Sequence, residues 1–184
     1  MSIKRVIGDY REFFSRQLGR LKDIRIDISG CELSHLAYRT ETYDEYLQTR
    51  ERIEEHCTSN IEKVWNGRPI SIMQLKEPLD LGEGFEVGMI ELIPPVHRRV
   101  YKMGLEHVGV VIGDSVDEFS HKHRAELTGQ QFQSELCQPY YVTFFEDFTM
   151  VKFYRIPLLE VCERERGRRY EGFSHVDNWK PSRK

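Results

Sequence analysis

The sequence predicts an α+β fold made of two similar βαβββ-like halves that form a mixed sheet with helices outside. Three observations carry this expectation. The apolar pattern runs twice through the order strand, helix, then two or three strands. The halves open on similar strings, SHLAYRTETYDEY at Ser34 to Tyr46 and EHVGVVIGDSVDEF at Glu106 to Phe119, each with His second and an Asp-Glu-aromatic triplet at the start of its helix. Their histidines, His35 and His107, stand 72 residues apart, and two copies at so long a period indicate duplicated modules rather than a solenoid. With 184 residues, 39% of them hydrophobic, and 10 Phe and 9 Tyr, the chain has the material for a core.

Each element has a local reason. From Asp9 to Leu21, Phe13, Phe14, Leu18 and Leu21 recur at helical spacing, which predicts a packing helix within an N-terminal segment, residues 1–28. Cys31 to Tyr38 alternates as a strand, and Tyr43 to His56 reads as an amphipathic helix. Ile61 to Trp65 and Pro69 to Leu75 flank Asn66-Gly67, a pair suited to the positive φ angles of a two-residue hairpin turn. Phe85 to Ile93 is a strand that Pro94-Pro95 stops. In the second half Leu105 to Ile112 is a strand and Val116 to Leu127 a helix. Tyr140 to Phe145 and Thr149 to Ile156 are strands about a Glu146-Asp147 turn. The expected organisation is a two-module domain over residues 29–160, with halves of about 29–95 and 104–160, followed by a basic C-terminal tail, residues 161–184.

Composition narrows the function. Lys and Arg number 27 against 30 Asp and Glu, a net charge of −3, which argues against a nucleic-acid binder. Apolar runs such as Val108 to Ile112 are far too short for a membrane span. The first residues, MSIKRVIGDYREFF, interrupt the apolar stretch that a signal peptide requires, so a cytoplasmic location is expected. Cys31, Cys57, Cys137 and Cys162 form no CxxC pair and read as reduced and mostly buried.

The chemistry-bearing residues fall on equivalent strands. If a pseudo-two-fold axis relates the halves, His35 and His107 converge near it, and convergent imidazoles are what a metal ion needs. Glu91 shares a strand face with Val87, Met89 and Ile93, where a carboxylate requires a partner. It is either half of an ion pair with Arg39 or Lys152, or the anionic ligand beside the histidines; the residues alone leave both open. The corresponding row of the second half is Met150, Lys152, Tyr154 and Ile156, so the mate of Glu91 is Lys152 or Tyr154. Arg39 lies on the face of His35, and Gln74 alternates with Ile72. Arg39, Gln74, Lys152 and Tyr154 are therefore candidates to bind a substrate, with Lys152 and Tyr154 the candidates for catalysis. His121 and His123 read as surface residues, and His56 and His97 lack partners at ligand spacing.

Five strings in order, SHLAYRT, NGRPI at Asn66 to Ile70, IELIPP at Ile90 to Pro95, GLEHVGVV at Gly104 to Val111 and VKFY at Val151 to Tyr154, resemble the YecM-like branch of the vicinal oxygen chelate superfamily. With the 16-residue interval from Glu91 to His107, the resemblance covers about residues 29–160. It implies a mixed sheet curled into a cup, with a divalent metal (zinc, manganese, nickel or iron) held by His35, Glu91 and His107. Glyoxalase-like members have a fourth ligand in the last strand, and here that place falls on Lys152, which cannot ligate while protonated. The implied activity is that of a metal-dependent isomerase, lyase or dioxygenase on a small oxygen-rich molecule. The alternatives are a non-catalytic small-molecule binding module with the same cup, and a structural protein in which Glu91 and Lys152 form a buried ion pair.

Overall fold

The computed structural model describes residues 2–95, 102–176 and 179; His97 lies outside the described residues. Helices α1 (Ile3–Ile7) and α2 (Tyr10–Asp23) come first. The Asp9 side chain caps α2 by accepting the Glu12 amide, and Phe13, Phe14, Leu18 and Leu21 bury the face that their spacing predicts. The first half then runs β1 (Glu32–Arg39), α3 (Tyr43–Glu54), β2 (Cys57–Trp65), β3 (Arg68–Gly82) and β4 (Phe85–Ile93). Thr42 caps α3 through the Glu45 amide, while the Glu45 carboxylate reaches back to the Glu41 amide. Between β2 and β3, Asn66 and Gly67 have φ angles of 50° and 77°, the two positive values of the tight hairpin. The second half runs β5 (Gly104–Val111), α4 (Val116–Lys122), β6 (Gly129–Gln130), β7 (Tyr140–Phe144) and β8 (Thr149–Tyr154).

All of these strands join one curled, mixed sheet in the order β6-β7-β8-β5-β1-β4-β3-β2, with one further strand at the β2 edge. Within each half the first strand pairs parallel to the last, β1 with β4 and β5 with β8, and the remaining pairs are antiparallel. The halves meet through the antiparallel pair β1 and β5, where Leu36 stands opposite Val108. Those two residues are themselves 72 apart, so the pseudo-two-fold axis passes through that pair.

Two cores lie on opposite faces of the sheet. The larger, on the outer face, holds Phe14, Tyr46, Leu36, Val108 and Phe153 beneath α1 to α3, with Phe119 of α4 packed against it. The smaller, on the inner face, holds Ala37, Ile70, Ile72 and Tyr154. Over this inner face lies α5 (Leu158–Arg166), which contributes Leu158, Val161 and Cys162 and ends at Gly167 with φ 64°.

Part of the segment read as a basic tail is thus structure. After α5, β9 (Gly172–Ser174) adds parallel to β2, and the buried Tyr170 hydroxyl donates to the Ile61 carbonyl. The charged residues of α5 had masked its apolar stripe. The helix expected from Val116 to Leu127 stops at Lys122, because the His123 carbonyl takes both the Glu126 and Leu127 amides and turns the chain. His123 is buried against the Phe119 ring rather than at the surface, a correction to the sequence reading; His121 is exposed.

Candidate metal centre

Regular alternation sends neighbouring residues of a strand to opposite faces, yet Ser34 and His35 both face inward, as do Glu106 and His107. A β-bulge in each strand is the cause. The β1–β5 register slips between Leu33 and His35, leaving Ser34 as an extra residue, and between Ala37 and Tyr38, leaving Glu106 as an extra residue on the other strand. Leu33, Leu36, Val108 and Val110 keep the outer face. The two bulge residues are again 72 apart, so the irregularity obeys the pseudo-symmetry.

The bulges bring the imidazoles together. His35 Nε2 lies 3.2 Å from His107 Nε2, Glu91 Oε2 lies 3.3 Å from His107 Nε2, and it lies 3.8 Å from His35 Nε2. These three residues form a buried group able to offer one donor atom each to a single ion. In a triangle with those sides, the point equidistant from all three atoms is about 2.0 Å from each, the length of a Zn–N bond. Two imidazole nitrogens and a carboxylate oxygen facing one point, on a strand pair that fixes their backbones, is a donor set that suits a divalent cation.

Each histidine is held by its bulge neighbour. Ser34 Oγ lies 2.9 Å from His35 Nδ1 and also accepts the Leu158 amide of α5, while Glu106 Oε1 lies 3.1 Å from His107 Nδ1. Partners on Nδ1 leave Nε2 of both rings directed at the shared point. The residues opposite the histidines are the smallest available: Gly109 pairs with His35 and Ala37 with His107. A Cβ on Gly109 would stand 2.6 Å from His35 Cε1 and 3.1 Å from Tyr154 Cε2. The Tyr154 ring packs edge-on against His35, with centroids 5.3 Å apart.

Electrostatics follow from burial. Loss of water pushes the His35 pKa down to about 3, against the opposing pull of Glu91, so the ring is neutral, as a ligand must be. Burial alone would raise the Glu91 pKa, but His107, His35 and Lys152 hold it below the usual carboxylate range. Glu106 is lowered to about 2: burial opposes ionisation, and His107 and Arg39 overcome it. The Tyr154 hydroxyl is pushed well above its ordinary value by burial and stays protonated.

The remaining expected residues divide. Lys152 pairs with Gly109 in the same register that sets Glu91 beside Ala37, so Lys152 rather than Tyr154 is the counterpart of Glu91. Its Nζ donates to Gln131 Oε1 at 3.1 Å, and it lines a cavity of about 410 Å³ together with Glu91, Arg39 and Glu106. Arg39 pairs with Glu106 and with the Pro94 carbonyl, not with Glu91. Tyr154 lies behind His35, away from the cavity lining, and Gln74 accepts from Ser59 Oγ and lines no described cavity. Ser34, Glu106 and Gly109 were missed by the sequence reading. The signal was present in the aligned strings, where Ser34 stands over Glu106 and Ala37 over Gly109, but strict alternation hides a bulge.

The family model described as YecM protein matches residues 2–142. No curated protein matches the chain. Among solved structures, a structural-genomics protein, EC4020, is 21% identical, with a TM-score of 0.64 over 90% of this chain and 97% of its own, which shows a shared fold. A variant of 4-hydroxymandelate synthase from Streptomyces coelicolor is 13% identical over 74% of this chain and 55% of its own, with a TM-score of 0.40. The fosfomycin resistance protein FosX from Listeria monocytogenes, complexed with Mn(II) and sulfate, is 17% identical over 76% of this chain and 99% of its own, with a TM-score of 0.29.

Proposed function

The chain belongs to the YecM protein family, and from that premise we propose that it is a divalent-metal-dependent protein acting on, or holding, a small oxygen-rich molecule. The observation that supports this reading is the triangle of His35 Nε2, His107 Nε2 and Glu91 Oε2, which an ion of ordinary bond length fits. Such an ion supplies Lewis-acid polarisation of a bound oxygen. The chain's own residues do the rest. Ser34 and Glu106 orient the imidazoles, Arg39 neutralises Glu106, and Tyr154 fixes the His35 ring without reaching the cavity. Lys152 is then the one of the two proposed catalytic residues that lies where a reacting group would be, and it is the candidate for moving a proton to or from a ligand oxygen.

The reaction class suited to this arrangement is isomerisation, lyase or dioxygenase-like chemistry. The second reading, a cup that binds without turnover, is favoured by a specific feature: an ammonium rather than a carboxylate stands opposite Glu91. The test is titration of Zn(II) and Mn(II) into the purified chain, followed by calorimetry. One ion per chain is expected, lost in His107→Ala and in Glu91→Ala. Unchanged stoichiometry and affinity in both variants would refute the metal centre.

A further inference from the structure

Beside Glu91 lie two adjoining compartments, the second more apolar than the first. The first, of about 410 Å³, carries, among the described residues, Arg39, Arg68, Lys102 and Lys152 together with the carboxylates Glu91 and Glu106, with side-chain amides such as Gln131 between them. The second, of about 390 Å³, is walled by the buried Ile70, Ile72, Cys137, Leu158 and Val161, with Lys63 and Glu165 joined in an ion pair at its more exposed side. Glu91, Trp65, Ile70 and Gln133 line both compartments, so the two adjoin beside the triad's Glu91.

We propose that the ligand of this cavity is an amphiphilic anion, an oxygen-rich anionic head joined to an uncharged apolar end. The inference rests on the reading of the triad as a metal centre only for the position of the head. The pseudo-symmetry supports the anionic head. Glu91 is the single carboxylate that the two equivalent positions provide, and its counterpart is the cation Lys152. A ligand's acidic oxygen placed opposite Glu91 would therefore meet the Lys152 ammonium rather than a second carboxylate. A dication at the triad adds to that attraction. Helix α5 packs on the inner face beside the site, and its Leu158 and Val161 face a space that a wholly polar ligand would leave unfilled or wet.

The test compares straight-chain 2-hydroxycarboxylates, from 2-hydroxybutanoate to 2-hydroxyoctanoate, with 1,2-diols of matched length by calorimetry, on the Mn(II)-loaded chain and on the metal-free chain. The acids are expected to bind at least about tenfold tighter than the diols. Affinity should rise about fourfold per added methylene while the tail enters the apolar compartment. A second carboxylate at the tail end should abolish that rise. Lys152→Met, with its fold checked by circular dichroism, should reduce the preference for acid over diol about fivefold or more. Equal affinity of acids and diols, or a flat dependence on chain length, overturns the proposal, and the wild-type series decides this even if the variant does not fold. Mn(II) binding without ligand discrimination sinks the amphiphilic anion and leaves the metal centre standing. Discrimination by a chain that binds no Mn(II) does the reverse.

Discussion

Gly109→Ala tests the geometry of the candidate centre without touching a proposed ligand. The added methyl would sit 2.6 Å from His35 Cε1, 2.8 Å from its Nδ1 and 3.1 Å from Tyr154 Cε2. Reaching an ordinary contact of 3.4 Å requires the imidazole to retreat by about 0.8 Å. That retreat is opposed from two sides, because His35 is fully buried, with Ser34 at Nδ1 and the Tyr154 ring at its edge. Overpacking of this kind costs about 1–3 kcal/mol. In a domain of this size it lowers Tm by about 2–12 °C. The same displacement moves Nε2 off a point that lies about 2.0 Å from three donors, so affinity for Zn(II) should fall about 10–100-fold. Gly88→Ala is the control, since its Cβ would meet nothing within 4 Å at an ordinary φ. Scanning calorimetry and Zn(II) titration read both effects. A Gly109→Ala protein that melts within about 1 °C of wild type and binds Zn(II) equally would refute the seat assigned to His35.

Glu106→Gln removes the carboxylate that pairs with the buried Arg39 guanidinium, and should cost about 3–5 kcal/mol in urea unfolding while weakening Zn(II) about 10–100-fold; a variant that loses stability and keeps full affinity would show that Glu106 supports Arg39 alone. Lys152→Glu places a carboxylate opposite Glu91 and should tighten Zn(II) or Ni(II) measured by calorimetry at one pH, whereas equal or weaker binding in an intact fold would show that position 152 does not reach the ion. For His35, whose folded pKa of about 3 lies below the ordinary 6.5, the stability contribution is complete above pH 6.5 and declines as pH falls toward 3. In metal-free protein the decline is about 1.4 kcal/mol per pH unit. Urea midpoints between pH 6.5 and 4.5 for wild type and His35→Gln should therefore converge as pH falls, and parallel profiles would contradict a neutral buried imidazole.

The succession of strands along both halves, the short β6 excepted, could be read from the sequence because apolar alternation and the Asn66-Gly67 turn are local signals, and Phe85 to Ile93 coincides with β4. Pairing the histidines was also legible, since a 72-residue offset applied to one strand yields the other. The register around them was not. A bulge depends on cross-strand hydrogen bonding that one strand's pattern does not encode, so Ser34 and Glu106, which alternation sends to the outer face, went unnoticed beside the residues they hold. Alternation puts Arg39 on the face of His35 with Glu91 or a ligand oxygen as its expected partner, whereas the structure pairs it with Glu106, one of those bulge residues. Helix α5 was hidden for a different reason: Glu163, Arg164, Glu165 and Arg166 dominate its composition, and only Leu158, Val161 and Cys162 on one side betray a buried stripe.

The β1–β5 pairing is where the two halves exchange backbone hydrogen bonds, and each half brings one imidazole to it. A bound ion would therefore be a cross-link between halves as well as a reactive centre, and neither half severed from the other could hold it with both nitrogens. Metal occupancy then becomes a clamp on the seam. The amides of Leu36 and Val108, at the axis itself, should exchange with solvent more slowly in the loaded chain than after chelation, while those of β7, at the far side of the second half, should scarcely notice.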